Sequence, residues 1–368
     1  MKAWYEVDNA DSIASPALLI YPERIEENLR RMISLAGDVS RLRPHVKTHK
    51  MSNVIALKRA AGIDKFKTST IAEAEMTAAA GGKDVLLAYQ PVGPNVQRFI
   101  ELIKTFPETR FSALVDNAES VRLIAAAAVD AGVVAELYVD LNVGMNRTGI
   151  APDENAIAVY RLIATTPGVR PRGLHAYDGH LHEADSEKLA KETQAAFAPV
   201  WKLRDQLLAE GLEVPGLIAA GTPTSGLLSK EAMVEVGAGT TVLWDFGQAE
   251  TSPGLDFLNA AVLLARVISR PTSTRLCIDL GHKAVASEMA QPRVQWFGLE
   301  DAIVVGHSEE HLVLETPRAA EFPVGTVLYG IPRHVCPTVA LHNEAWCVKD
   351  HRATEKWPVN ARARCITI

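Results

Sequence analysis

The sequence predicts an α/β fold, a TIM-type (β/α)8 barrel followed by a smaller all-β domain. Three observations carry this. From residue 16 to about 245, short apolar runs alternate with amphipathic helical segments, the signature of parallel βαβ units. After residue 250 the helical periodicity fades, and β-branched runs sit between Gly, Pro and charged turns. The length of 368 residues suits a barrel of about 250 residues with an added domain. The boundaries read from this pattern are 12–248 for the barrel and 249–368 for the β domain, with residues 1–11 packing against the latter. A doubly wound sheet is the alternative, because alternation speaks less directly of closure.

The elements follow in order. Residues 17–21 form an apolar strand candidate. Residues 23–36 place Ile25, Leu29, Met32, Ile33 and Ala36 on one helical face, and Gly37 ends the helix. Residues 65–69 read as a strand, and Thr70-Ile-Ala-Glu73 has capping-box spacing for the next helix. Further short apolar runs lie at 85–89, 110–115, 135–140, 173–177 and 217–220. The helices between them include 118–131, closed by Gly132, and the long 186–210. In the last third, runs at 275–280, 302–305 and 312–315 read as β-strands.

Composition narrows the function. A net charge of −6 with scattered lysines and arginines gives no basic field for nucleic acid or anionic lipid. No run approaches the ~18 uninterrupted apolar residues of a membrane span, and Asp130 breaks the Ala-rich segment that comes nearest. Four cysteines, Cys277, Cys336, Cys347 and Cys365, with no Cys-x-x-Cys pair, suit a thiol protein of the cytoplasm better than a disulfide scaffold or a structural metal domain.

In a parallel barrel, chemistry gathers at the C-terminal ends of the strands. Arg43-Pro-His45-Val-Lys47-Thr-His49-Lys50 falls at such an end. An amine there suits a carbonyl cofactor once its pKa is lowered by burial or by nearby cations, for which Arg43, His45, His49 and Lys50 are the candidates. Two glycine-rich strand ends come later, Ala220-Gly221-Thr222 and Gly237-Ala238-Gly239-Thr240. Their unobstructed N–H groups and hydroxyls suit an anion, and barrels favour phosphate sites in their last loops.

These residues resemble the D-threonine aldolase and D-serine dehydratase family, whose fold is of the alanine-racemase type. The resemblance spans nearly the whole chain, from Ser15-Pro16 to His334-Val-Cys336. It implies a pyridoxal-phosphate (PLP) barrel, a β domain and a homodimer. Lys47 matches the family's Schiff-base lysine. Gly144-Met-Asn-Arg147-Thr-Gly149 resembles the segment whose arginine sits near the cofactor phenolate. His175-Ala-Tyr177-Asp-Gly-His180 resembles the strand beside the cofactor ring, with Tyr177 assigned to the pyridine nitrogen. Gly221, Thr222, Gly239 and Thr240 match the phosphate loops; Thr241 departs from the aromatic common there. The catalytic candidates are therefore Lys47, His45 and Arg147.

The family also implies a divalent metal (Zn, Mn or Mg) held by His334 and Cys336. In an extended stretch, residues two apart share a face, and imidazole with thiolate suits zinc or a similar ion. The implied activity is lysis of D-amino acids bearing a β-hydroxyl: retro-aldol cleavage as in D-threonine aldolase, or β-elimination as in D-serine or D-threo-3-hydroxyaspartate dehydratase. Ala88-Tyr89-Gln90 and the run of the barrel favour the aldolase, whereas Cys336 leans towards the dehydratase. A racemase would need a second base, with Tyr329 the candidate, and a non-catalytic PLP carrier would need no β domain. His282, Glu309 and His311 are further polar candidates in the β domain.

Overall fold

A computed structural model describes residues 2–368. Seven parallel strands form one sheet in sequence order: Lys65–Thr68, Asp84–Leu87, Arg110–Val115, Ala135–Leu141, Val169–Ala176, Leu217–Ala219 and Val234–Val236. Residues 42–45 bridge the first and last of these. Leu42 pairs in parallel with Val236, and His45 with Lys67. The Arg43 N–H donates to Val236 O at 3.0 Å, and the Lys67 N–H donates to Pro44 O at 3.2 Å. This short stave closes the ring and delivers the turn Val46–Thr48 to its C-terminal rim.

The helices form where periodicity and caps agree. Pro22–Ala36 starts on proline, buries Ile25, Leu29 and Met32, and stops at Gly37 with φ 77°. Ile71–Ala79 is capped by the Thr70 hydroxyl, which accepts from the Glu73 N–H.

The strand expected to open the barrel lies elsewhere. Ala17–Ile20 runs antiparallel to Ala261–Thr272, with Leu18 opposite Leu263, and parallel to Glu344–Lys349. It belongs to a nine-stranded sheet built otherwise from the C-terminal third. All four of its residues are buried. An apolar run covered on both faces reads the same in either sheet, which is why the sequence misplaced it.

The second region is mostly sheet rather than purely β. It carries the helix Val335–Leu341, which follows the strand Val327–Pro332. Trp4, Tyr5 and Val7 pack on this sheet with Tyr21, Phe297 and Tyr329. Tyr5 stacks on Phe297 with centroids 3.8 Å apart. The Tyr329 oxygen accepts the Val7 N–H at 3.2 Å, so the candidate racemase base is engaged in holding the N-terminal segment.

Candidate active site

The barrel rim and the second region enclose a cavity of about 360 Å³, within the range of small-molecule sites. Lys47, Tyr177, Gly221, Thr222 and Thr240 line it from the barrel; His334 and Cys336 line it from the other side. Below it, a smaller hollow adds His45, Thr48, Lys67 and Gly239. Arg147 borders an adjacent hollow with Asp140 and His175, and its guanidinium stands 5.2 Å from the Tyr177 ring centre. All ten residues singled out from sequence therefore line this cavity or the two hollows beside it. His282, Glu309 and His311 do not line it.

Local folding explains these positions. His45 Nδ1 accepts the Lys47 N–H at 3.3 Å, fixing the turn that carries the amine. Burial, with Lys47 next in effect, holds the His45 imidazole well below its usual pKa, so it stays neutral. Gly144 has φ 124°, and a Cβ there would lie 2.5 Å from His180 Nε2; the arginine loop needs glycine at this contact. A Cβ on Gly179 would strike the Tyr177 ring at 2.4 Å, so glycine lets that ring lie across the cavity floor.

The cations expected around Lys47 are mostly engaged elsewhere. Arg43 points to the opposite end of the barrel, bonding Asp84 and Glu235 at 2.6 Å each. Lys50 pairs with buried Glu73. His49 Nε2 faces buried Lys58 Nζ at 3.1 Å. In a parallel strand, alternate residues enter the barrel, and length along the strand decides which end they reach. The amine that does share the Lys47 cavity is Lys67, which the sequence reading passed over.

Two carboxylates also escaped that reading. Asp178 is fully buried; its Oδ1 accepts the Gly221 N–H at 2.6 Å and its Oδ2 accepts the Thr224 hydroxyl at 2.5 Å. It braces the first glycine-rich loop, and Ala220 just before that loop holds φ 74°, a strained value for alanine. Asp245 caps Phe246–Thr251 through the Gln248 N–H at 2.8 Å and accepts the Val335 N–H at 2.8 Å. It thereby ties the His334–Cys336 segment to the loop after the last barrel strand. Asp178 stood inside a quoted motif, and Asp245 in cap position before a short helix; only the fold shows which backbone each one holds.

The stretch carrying His334 and Cys336 is not extended. His334 is the N-cap of Val335–Leu341 and Cys336 its second residue. A helix start also brings the two side chains to one cavity wall. His334 Nδ1 meets Glu288 Oε1 at 2.5 Å, and Cys336 Sγ lies 3.3 Å from the Thr48 hydroxyl and 3.6 Å from that of Thr240. Burial would raise the Cys336 thiol pKa, but His334, Lys47 and Thr48 together hold it below its ordinary value.

The pyridoxal-phosphate fit is physical. A Cβ at Gly239 would lie 2.7 Å from His45 Cβ, and one at Gly221 would lie 3.3 Å from Asp178 Oδ1. Glycine is therefore needed at both close approaches. The Gly221 N–H is taken by Asp178, and the rest of the two loops, with the Thr222 and Thr240 hydroxyls, borders a hollow sized for a small anion next to the Lys47 amine. For a metal the donor set is smaller. Imidazole and thiolate meet at the cavity wall, and among the described residues no group of three or more His, Cys, Asp or Glu side chains is arranged to hold an ion.

Comparisons with known proteins identify the family and the fold. Residues 20–243 match the model of the alanine racemase N-terminal domain, and residues 260–348 that of the putative serine dehydratase domain. The chain is 29% identical to D-threonine aldolase of Arthrobacter sp over 357 residues, 95% of this chain and 93% of that one. It is 28% identical to D-threo-3-hydroxyaspartate dehydratase of Delftia sp. (strain HT23), covering 90% and 93%. The solved D-threonine aldolase from Filomicrobium marinum superposes with TM-score 0.88 at 27% identity, covering 98% and 99%. With more than half its length matched by the first model, the chain belongs to the alanine racemase N-terminal domain family, in the D-threonine aldolase and D-serine dehydratase group of fold type III pyridoxal-phosphate enzymes.

Proposed function

We propose that this chain is a pyridoxal-phosphate- and divalent-metal-dependent lyase that cleaves D-threonine or a close D-β-hydroxy amino acid to glycine and an aldehyde. One observation carries the reading: Lys47, Tyr177 and the Gly-Thr loops share one cavity with His334 and Cys336. A site for an amine-linked cofactor and a site for a hydroxyl-directed metal thus face the same substrate volume. The relatives matched along nearly the whole chain are lyases of this kind.

Pyridoxal phosphate, when bound, supplies the electron sink that lets a bond to Cα break heterolytically. Gly221, Thr222, Gly239 and Thr240 would hold its phosphate, Arg147 would face its phenolic oxygen, and Tyr177 would lie beside its ring. Lys47 is the amine that anchors it and later holds a proton near Cα. His45 positions Lys47 through the backbone. His334 and Cys336 would hold a Zn, Mn or Mg ion, whose chemistry is to polarise the substrate's β-hydroxyl as a Lewis acid. Asp245 keeps that pair facing the cavity by holding the Val335 N–H.

The thiol at 336 favours a second reading, β-elimination to a 2-oxo acid and ammonia, in which Lys47 takes the Cα proton. A non-catalytic cofactor carrier is a third reading, and the residues of the second region that line the cavity, Arg333, His334 and Cys336, argue against it. The deciding experiment supplies purified protein with pyridoxal phosphate and Mn²⁺ or Zn²⁺, then offers D-threonine and D-serine separately. Glycine with acetaldehyde from D-threonine is the expected result. Pyruvate or 2-oxobutyrate with ammonia would replace the aldolase by the dehydratase. Bound cofactor without either product would leave the carrier standing. We further expect a homodimer acting in the cytoplasm.

A further inference from the structure

The cavity contains a second amine that the mechanism above leaves idle. Lys67 comes from the strand Lys65–Thr68 and is only 3% exposed. Its Nζ lies 3.3 Å from His175 Nε2, and His175 Nδ1 lies 2.7 Å from Asp140 Oδ1. The carboxylate accepts the Nδ1 proton, so Nε2 of the neutral ring accepts from the lysine. This chain of bonds uses one of the three Nζ donor directions.

Lys67 also lines the hollow it shares with Lys47, Tyr177 and both glycine-rich loops. Among the described residues no carboxylate lies within ion-pair distance of Lys67. Gly237 makes room for it, since a Cβ there would stand 3.0 Å from Nζ. His45 and Lys47 face it from the lysine turn, Asp140 and Arg147 from the strand Ala135–Leu141 and the loop after it, and Asp178 from behind the first loop. The two loops offer only neutral donors. An anionic cofactor seated on them would find its nearest buried, unpaired cation in Lys67.

We propose that Lys67 is a second cofactor contact: oriented by His175 and Asp140, its ammonium donates to an anionic group of bound pyridoxal phosphate, while Lys47 alone takes the covalent role. The proposal rests on the cofactor reading given above. Burial, with Lys47 next in effect, pulls the Lys67 pKa down to about 7, and a bound anion opposes that pull. Lys67 would therefore take up its proton as the cofactor enters.

Lys67→Met and Lys67→Gln test this. Thermal unfolding checks that each folds; fluorescence titration reads the affinity for pyridoxal phosphate, and a pH titration follows the visible absorbance of the bound cofactor. Both variants should bind the cofactor about tenfold more weakly or worse. The absorbance midpoint should rise by about one pH unit, because losing a nearby cation eases protonation of the chromophore. Glutamine keeps an N–H for His175 Nε2, so an effect shared by Met and Gln reports the charge rather than a lost hydrogen bond. If the Met variant fails to fold, the Gln variant decides. A folded variant with wild-type affinity and midpoint would overturn the role of Lys67 alone. A wild-type protein that takes up no pyridoxal phosphate would overturn the cofactor reading with it.

Discussion

The two ends of the barrel are built from similar residues and differ in how their charges are met. At the N-terminal end, Arg43 is fully buried between Asp84 and Glu235 at 2.6 Å each, and Arg172 lies 3.1 Å from Asp84 and 3.2 Å from Glu136. Each guanidinium has carboxylates against it. At the C-terminal mouth, Lys47, Lys67 and Arg147 surround the Tyr177 ring, at 5.9, 5.1 and 5.2 Å from its centre, and none of the three has a carboxylate at ion-pair distance among the described residues. The nearby acids face other groups, Asp140 a histidine and Asp178 a backbone loop. Saturated charge at one end holds the fold; unmatched cations at the other await an anion. Barrels in general divide stability and chemistry between their ends in this way.

The division predicts that substitutions at the two ends report through different measurements. The largest expected effect is at the mouth. Lys47→Ala should lower product formation by about 10⁴-fold, the upper end for a positioned proton-transfer group. Thermal unfolding of the cofactor-free protein should stay close to wild type, since the amine opens onto the cavity. The visible absorbance that marks covalently held cofactor should vanish. If it survives, Lys67 can replace Lys47, and the assigned division of labour between the two amines fails.

At the other end, Arg43→Met should act on stability. Removing one partner from a buried charge cluster leaves the others uncompensated, a cost of about 3–5 kcal/mol. Urea unfolding should show it as an earlier midpoint with unchanged slope. The pH dependence follows with a definite sign. Burial would raise the Asp84 and Glu235 pKa values, but Arg43, with Arg172 beside Asp84 and Lys65 beside Glu235, outweighs it and holds both below their ordinary values of 3.8 and 4.5. A carboxylate depressed in the folded state contributes its stability above the unfolded value and loses it as pH falls through the folded one. The gap between wild type and variant should therefore be full at pH 6 to 7 and shrink below about pH 4. A constant gap down to pH 3 would mean that the cluster is not held by charge.

The sequence shows this contrast unevenly. The helices were legible because their apolar stripes and caps are local, as with Ile25, Leu29, Met32 and Gly37. The lysine turn and glycine-rich loops were legible because they are contiguous motifs. Lys67 was not. In Lys65-Phe-Lys67-Thr the alternation reads as lysines in water and phenylalanine in the core. In a barrel both faces are inside: Phe66 packs with the outer layer's core, while Lys65 and Lys67 enter the interior at opposite ends. The first strand was misplaced for a related reason, since burial on both faces erases the pattern that would name its sheet. His334 and Cys336 reach one cavity through a different geometry from the extended one expected, because spacing of two does not separate a strand from a helix start.

The smallest of these effects tests a residue at the mouth that supports the site without facing a ligand. Asp178 accepts from Gly221 and Thr224 with separate oxygens, so its carboxylate holds the first glycine-rich loop from below. Burial raises its pKa, and the two donors work against that rise. Asp178→Asn keeps the shape but places an NH₂ group against one of those donors. The mismatch costs about 1–3 kcal/mol, and the loop can relieve it by moving away from the hollow. Pyridoxal phosphate affinity should fall by about tenfold, and Asp178→Ala should weaken it at least as much. Pyridoxal, which lacks the phosphate, should bind wild type and Asp178→Asn nearly alike in the same titration. An equal loss for both ligands would show that Asp178 serves the barrel as Arg43 does, and would move the line between the two ends one layer closer to the mouth.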